Sequence, residues 1–372
     1  MGKIRHIDNK KIIISLLTIL IVLALLTSFA GCNGLSGEGK EETKKITDCA
    51  GRTVEIPKNP DRVACLYAPT AHMMALLDKE DRIVGAPNGV KSDVLIQMKY
   101  PGIRDVAVPY QEGSINVEEL LRVDADLLLI RKDTLQNEGE MEKLEKLGIP
   151  YAVVDYETIP QLYRAVRVAG DIFGEEEKAE AYIEFCKETT DLVSDNLREV
   201  TGPKPRIFHS VNEATRTHNR GDICSEILTL GGVDDVISSE EQGGLTAEGS
   251  KVYTTLEQIY TWNPDGIIAN EQPVTAYILT DPKWAGLDAV KNKQVYTLPV
   301  GISRWCHPGS IEPHMGILAV AVRFHPEEMK SVDMKKYTKE YYKKYFGLKL
   351  DDETIERILM GEGMRKPGGP VT

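Results

Sequence analysis

The sequence predicts an α/β protein of two lobes, each a central parallel sheet flanked by helices, joined by a long rigid helix. Three observations carry the prediction. Residues 115–130 align without a gap on residues 254–269 at a constant offset (257 − 118 = 139 and 265 − 126 = 139). Each copy runs through a polar capping residue, a Glu, a short amphipathic helical run, an acidic turn residue and an apolar run of strand length. On both sides of the chain's middle, apolar runs alternate with helical patterns, the βαβ rhythm of a parallel sheet. Between them, residues 160–200 read as mostly helical. Two similar lobes in one chain imply a cleft between them.

Residues 1–30 have a basic start (Lys3, Arg5, Lys10, Lys11), no charge from residue 12 onward, and lead into Phe29-Ala-Gly-Cys32. Small residues just before a Cys suggest a signal peptide over 1–31, cleaved with lipid attachment at Cys32. The other reading is a retained transmembrane anchor, because so long an uncharged run nearly spans a bilayer. Both put the bulk of the protein outside the cytoplasm. The expectation is a lipid-anchored protein on the outer face of the cytoplasmic membrane, periplasmic where a second membrane is present. Residues 32–45 hold Gly, Ser and charges without an apolar cluster and read as a flexible tether.

The first lobe is expected over 46–158, with strands at 62–66, 82–85, 126–130 and 151–154 and helices at 71–77 and 141–147. An interlobe helical region follows over 159–200, interrupted at Gly174. Its second part places Ala181, Tyr182, Phe185, Leu192, Val193 and Leu197 on one apolar face, and at ~1.5 Å per residue it reaches about 39 Å, enough to span both lobes. A bridge of one helix is stiff, so lobe motions on binding should be small. The second lobe, 201–325, repeats the strand rhythm at 206–209, 235–237, 266–269 and 294–298. In the C-terminal extension, 326–372, Tyr337, Tyr341, Tyr345 and Phe346 recur at helical spacing and should pack on the second lobe with Lys facing water.

The formal charge is −12 over 372 residues, and removing residues 1–31, with four basic and one acidic side chain, takes it to about −15. Such a balance argues against nucleic acid as a partner and against lying flat on anionic lipid. If Cys32 carries lipid, Cys49, Cys65, Cys186, Cys224 and Cys306 remain; the number is odd, so at least one is unpaired, and their spacings match no zinc motif.

Several segments together carry a resemblance. They are Ile46-Thr-Asp-Cys-Ala-Gly51-Arg-Thr-Val-Glu-Ile-Pro57, Pro60-Asp-Arg-Val63, Asn116-Val-Glu118, Leu256-Glu257-Gln, Trp262-Asn-Pro-Asp265 and Asp281-Pro-Lys-Trp284 with Val290-Lys-Asn-Lys-Gln-Val-Tyr296. The chain from residue 46 to residue 324 resembles the class III periplasmic binding proteins, which serve importers of iron complexes and cobalamin. The resemblance implies a monomeric binding protein without catalysis or cofactor of its own. It would capture a metal chelate of siderophore, heme or corrinoid type between the lobes and deliver it to an ABC permease dimer with its cytoplasmic ATPase. It also implies that one Glu on each lobe, here Glu118 and Glu257, docks onto arginines of the permease. The local alternative is helix capping, but Asn116-x-x-Glu119 and Thr255-x-x-Gln258 supply the capping boxes and leave Glu118 and Glu257 free to face a partner.

Ligands of open α/β sheets sit beyond the carboxyl ends of the strands. That rule selects Tyr67, Thr70, His72, Asn88, Arg131 and Tyr156 in the first lobe and His209, His218, Asn270, Glu271 and Arg304-Trp305-Cys306-His307 in the second. The last run offers a fork of donors for an anion, a flat apolar wall and two metal-ligating side chains; the plainer alternative makes Trp305 and Cys306 core. His72, His209, His218 and His307 all follow predicted strands and would suit a bare metal ion if they converged, although none stands at short ligand spacing from another. Two alternatives remain: the same role for a free transition metal or an oxyanion such as molybdate, and a two-lobed chelatase acting on tetrapyrroles. Export speaks against the chelatase, and no phosphate loop, His-Glu-x-x-His or Gly-x-Ser-x-Gly motif is present.

Overall fold

A computed structural model describes residues 42–111, 113–239, 244–249 and 251–365. The predicted signal peptide and Cys32 lie outside these residues, and among the described ones no helix is long and apolar enough to cross a membrane. Strand β1 (Thr43–Thr47) pairs antiparallel with β2 (Thr53–Pro57) around a turn at Gly51, whose φ of 81° favours a residue without Cβ. Among the described residues regular structure starts at Thr43, inside the stretch expected to be tether. Only Ile46 of β1 is buried, and a strand with so many solvated polar side chains has the composition of a loop.

The first sheet is built from β3 (Val63–Cys65), α1 (Ala68–Leu76), β4 (Ile83–Gly85), α2 (Val117–Arg122), β5 (Leu127–Ile130), α3 (Glu138–Leu147) and β6 (Tyr151–Val153). Its four strands are parallel in the order β4-β3-β5-β6. Two helices follow, α4 (Ile159–Phe173) and α5 (Glu176–Leu197), separated by Gly174 at φ 68°. The second sheet comes from β7 (Arg206–Ser210), β8 (Arg216–Thr217), α6 (Ile223–Leu230), β9 (Asp234–Asp235), β10 (Thr246–Glu248), β11 (Lys251–Tyr253), α7 (Leu256–Trp262), β12 (Gly266–Ala269), α8 (Gln272–Thr280) and β13 (Val295–Thr297). Strands β9-β7-β12-β13 are again parallel, so both sheets share one topology, and β8-β11-β10 form a small antiparallel sheet beside them. The central strands β5 and β12 are buried at every residue, which is why they read as unbroken apolar runs. The predicted two-lobed α/β class is what the chain adopts.

The sequence repeat has a physical basis. The turns after α2 and α7 each use one non-glycine residue with positive φ, Asp124 at 48° and Asn263 at 39°, again 139 positions apart (263 − 124 = 139). The next acidic residue caps the start of the lobe's first strand: Asp126 Oδ2 accepts from the backbone N–H groups of Asp61 (2.7 Å) and Arg62 (3.0 Å), and Asp265 Oδ2 accepts from that of Arg206 (2.8 Å). In return, Arg62 donates to the carbonyl of Val123 and Arg206 to that of Trp262. One Asp–Arg clamp thus ties helix, turn and strand together in each lobe.

Some expected details differ. Residues 235–237 do not continue as strand, because Asp235 turns its carboxylate onto the N–H of Ile237 and the hydroxyl of Ser238 and the backbone enters a short helix. Helix α5 has 22 residues, a length of about 33 Å at ~1.5 Å each, and its buried stripe runs through Ala179, Tyr182, Ile183, Cys186, Thr189 and Val193. Ala181 is exposed rather than on that stripe, because α5 is clasped by α4, α6 and α9 (Pro313–Phe324), which set the buried arc. Helix α10 (Met334–Phe346) packs on α1 of the first lobe, on the helix that follows it and on aromatic rings of α5, and not only on the second lobe. The ring of Tyr345 lies tilted with its centre 4.9 Å from that of Phe185 and edge-on 5.5 Å from that of Tyr182, and Tyr337 Oη meets Thr189 Oγ1 at 2.5 Å. Helix α11 (Asp352–Met360) follows, and the chain then returns to the first lobe, where the N–H of Val94 donates to the carbonyl of Met364 at 3.0 Å.

Candidate functional site

Two adjoining cavities open where the carboxyl ends of the two sheets face each other, the position expected for a ligand in sheets of this topology. The smaller, of about 200 Å³, is lined by Tyr67, Ala68, Pro69, His72, Arg131, Arg216, Ser303, Arg304, His307, Pro308, Gly309 and Arg365. The larger, of about 630 Å³, shares Tyr67, Arg131, Arg216 and Pro308 and adds, among others, Tyr156, Glu157, His218, Arg220 and Asp222.

Four guanidinium groups meet around the smaller cavity, each held by a carboxylate. Arg304 Nη1 donates to Glu271 (2.7 Å) and to the side-chain oxygen of Asn212; Arg131 is 3.5 Å from Asp133, Arg216 is 3.7 Å from Glu213 and Arg365 is 3.6 Å from Asp93. Arg131 also lies over the ring of Tyr67 at 4.8 Å. These contacts orient the forks without using all their donors. The Nε atoms of Arg131, Arg216, Arg304 and Arg365 are buried and lack a protein hydrogen-bond partner. Burial, followed by the neighbouring Arg365, pushes the Arg304 pKa down to about 10, and burial with Arg304 and Arg365 holds that of His307 well below its usual value. His307 is therefore neutral. Its Nδ1 accepts from the N–H of Gly309 (3.1 Å), so Nε2 carries the proton, and this donor too is buried without a partner.

The loop that carries Arg304 and His307 is braced from behind. Glu312 is fully buried and accepts from the N–H (2.6 Å) and hydroxyl (2.8 Å) of Ser303 and from Tyr342 Oη (2.6 Å), while Trp305 Nε1 donates to Tyr342 Oη (3.2 Å). A Cβ at Gly301 would collide with Tyr342 Oη at 1.6 Å, so only glycine permits this approach of α10 to the loop.

Of the residues selected by sequence, Tyr67, His72, Arg131, Arg304 and His307 line the smaller cavity, and Tyr156 and His218 the larger. Glu271 acts through Arg304. Thr70 is buried and donates to the carbonyl of Tyr67, and Asn88 is exposed at the start of a short helix; neither lines these cavities. Trp305 is wholly in the core, as the plainer alternative had it. The four histidines do not converge. His72 pairs with Asp93 (3.0 Å) and His307 stays with the arginines, whereas His209 and His218 lie tilted with ring centres 5.2 Å apart, His209 bonding Asn270 (3.0 Å) beside Cys306. Sequence reasoning missed Arg216, Arg365 and Asp93. Arg216 stands two residues before the selected His218, so extending the post-strand window would have found it; nothing local marks Arg365.

Glu118 and Glu257 are both exposed on the first turns of α2 and α7, and neither side chain has a partner among the described residues. The caps are Asn116, accepting from the N–H of Glu119 (3.1 Å), and Thr255, accepting from that of Gln258 (3.1 Å). One helical turn on from each Glu, Leu121 and Tyr260 are 61% and 38% exposed, a matched apolar pair next to a matched acidic one.

Two lobes of one topology, with a polar cleft at their facing strand ends, define a solute-binding protein of the rigid-hinge kind. The chain belongs to the periplasmic binding protein family, which it matches over residues 63–300. It is 23% identical to the molybdate-binding protein MolA of Haemophilus influenzae over 327 residues, covering 81% of this chain and 90% of that one. It is 20% identical to the uncharacterized ABC transporter substrate-binding lipoprotein YvrC of Bacillus subtilis, covering 83% and 96%. Among solved structures, MolA bound to molybdate superposes with a TM-score of 0.72 at 20% identity, covering 83% of this chain and 99% of that one. Helicobacter pylori Ceue with Ni(II) bound superposes with a TM-score of 0.69 at 24% identity, covering 85% and 99%. At these identities the superpositions speak for the fold. The chain is thus an extracytoplasmic substrate-binding protein of an ABC importer, whose partner is the importer's permease.

Proposed function

We propose that the protein captures a multiply charged anionic metal species, with the negative groups held among Arg131, Arg216, Arg304, Arg365 and His307. The observation that carries this reading is the set of five buried N–H donors without a protein partner around one cavity. A buried donor left unpaired costs about 1–3 kcal/mol, and an anion satisfies several at once. A bare cation is served poorly, because His72 is already engaged by Asp93 and the other nitrogens are guanidinium or donor N–H. An anionic chelate of siderophore type is the first reading, since the adjoining cavity of about 630 Å³ has room for its body beside Tyr67 and Tyr156. A molybdate-like oxyanion is the second, favoured by the 200 Å³ of the arginine-lined cavity and by the similarity to MolA. A heme or corrinoid is less well served, because Trp305, the flat wall expected for it, lies in the core.

In this reading Glu118 and Glu257, with Leu121 and Tyr260 beside them, meet the two permease subunits, Cys32 bears the lipid, and the protein works as a monomer without catalysis. The test is calorimetric titration of the detergent-solubilised full chain with ferric tricarboxylate and tricatecholate complexes, with molybdate and with Ni²⁺. One anion should bind saturably at a one-to-one ratio, and Arg216→Ala or Arg365→Ala should weaken it more than tenfold. Tight Ni²⁺ binding with no anion binding would overturn the reading, as would turnover of a porphyrin with metal.

A further inference from the structure

Beneath the cleft floor, on the core side of the loop that carries Arg304 and His307, three metal-ligating side chains meet that no sequence spacing brings together. His209 lies in β7, Cys224 in the first turn of α6 and Cys306 in the loop after β13. Their donor atoms all lie within 4.8 Å of one another, and each residue is 0% exposed. None of the three lines either cavity.

The geometry is close to that of a tetrahedral thiolate–imidazole site. Cys306 Sγ is 3.8 Å from His209 Nδ1. With zinc–sulfur and zinc–nitrogen bonds of about 2.3 Å and 2.0–2.1 Å at a tetrahedral angle, those two ligands stand about 3.6 Å apart, so a shift of a few tenths of an ångström suffices. The imidazole is already set for the task. His209 Nε2 is 3.0 Å from Asn270 Oδ1, and with Nε2–H donating to that amide oxygen the Nδ1 lone pair is left for the sulfurs, the outer-shell arrangement that orients metal-ligating histidines. Cys224 also lies within 4.8 Å of donor atoms of His218 and Asp222, which form a second, paired group beside the first.

We propose that Cys224, Cys306 and His209 form a resident site for a thiophilic divalent ion of the zinc class, separate from the transported ligand, which pins the Arg304–His307 loop to β7 and α6. Metal binding expels the thiol protons, so occupancy is pH-dependent. The ion's role is then to hold the cleft-facing half of the loop by its core-facing half.

Co²⁺ is the probe. The full chain in detergent, stripped with chelator under reducing conditions, should take up one equivalent of Co²⁺ with a thiolate-to-metal charge-transfer band and the intense visible bands of a tetrahedral site, bleached by Zn²⁺. Cys224→Ser and Cys306→Ser should each abolish the band or weaken Co²⁺ binding more than tenfold. Arg304→Ala should keep the band while losing anion affinity, so failure of this site and failure of the ligand reading are told apart. X-ray absorption of the zinc-loaded wild type needs no variant to fold and should show two sulfurs at about 2.3 Å. A shell of oxygen and nitrogen only, a band that survives in the double serine variant, or recovery of Cys224 and Cys306 as a disulfide in metal-free protein would each overturn the proposal.

Discussion

Arg304 and Glu271 form a nearly buried ion pair at 2.7 Å in the cleft, with 11% and 8% of their side chains exposed, and Asn212 shares the same guanidinium nitrogen. The pair sets the direction of a fork whose Nε still lacks a protein partner. In the proposed reading, Glu271 and an incoming anion share one guanidinium.

Replacing Arg304 with Ala should weaken anion binding more than tenfold, since charge-assisted hydrogen bonds contribute ~1.5–3 kcal/mol each. It should also destabilise the fold by about 3–5 kcal/mol, because Glu271 is left buried and unpaired. The double variant Arg304→Ala, Glu271→Gln should regain most of the stability and none of the affinity. Denaturant titration beside calorimetry completes the cycle.

Glu118→Ala with Glu257→Ala should leave both stability and ligand affinity unchanged, because Asn116 and Thr255 carry the caps. Ligand-stimulated ATPase activity of the reconstituted importer should fall to its basal level. Asn116→Ala and Thr255→Ala should do the opposite, each costing about 1 kcal/mol of stability with transport coupling retained.

His314 gives the fold an acid limit. It is buried among Tyr182, Phe185 and Tyr341 with Nδ1 3.1 Å from Cys186 Sγ, and burial lowers its pKa from 6.5 to about 3. The folded state keeps the ring neutral while the unfolded state protonates it near pH 6.5, so the stabilisation is complete above that pH. Below it, stability should fall by up to ~1.4 kcal/mol per pH unit until about pH 3. His314→Phe should flatten this limb of a stability–pH curve measured by thermal unfolding.

The two clamps predict a symmetric pair of losses. Asp126→Ala and Asp265→Ala should each cost about 1–2 kcal/mol by freeing the backbone N–H groups at the starts of β3 and β7, and the losses should add, because the clamps belong to separate lobes. Coupling well above ~0.5 kcal/mol in a denaturant double-mutant cycle would show that the lobes do not respond independently.

Much of the fold was legible in the sequence because its signals are local. Residues 115–130 and 254–269 are read twice in the same register, and the structure answers with positive φ at Asp124 and Asn263 and carboxylate caps at Asp126 and Asp265. The strand ends pointed to Tyr67, Arg131, Arg304 and His307, all of which line the cleft. Thr70 was misleading for the same reason: a hydroxyl just after a strand as readily closes its own turn as meets a ligand.

By itself the sequence determined the two-lobed α/β class, the matched acidic residues on α2 and α7, and the placement of the cleft at the strand ends, since periodicity, capping and turn chemistry act over a few residues. Only the tertiary structure decided what the cleft is made of. It split Arg304-Trp305-Cys306-His307 between cleft and core, brought Arg365 from the far end of the chain to Asp93, and set His209 against Cys306 rather than with His72 and His307. The physical reason is that each of these contacts closes a long loop of chain. Their partners are chosen by how the sheets, α5 and α10 pack, and a lone Arg or Cys carries no local mark of which side of a loop it will face.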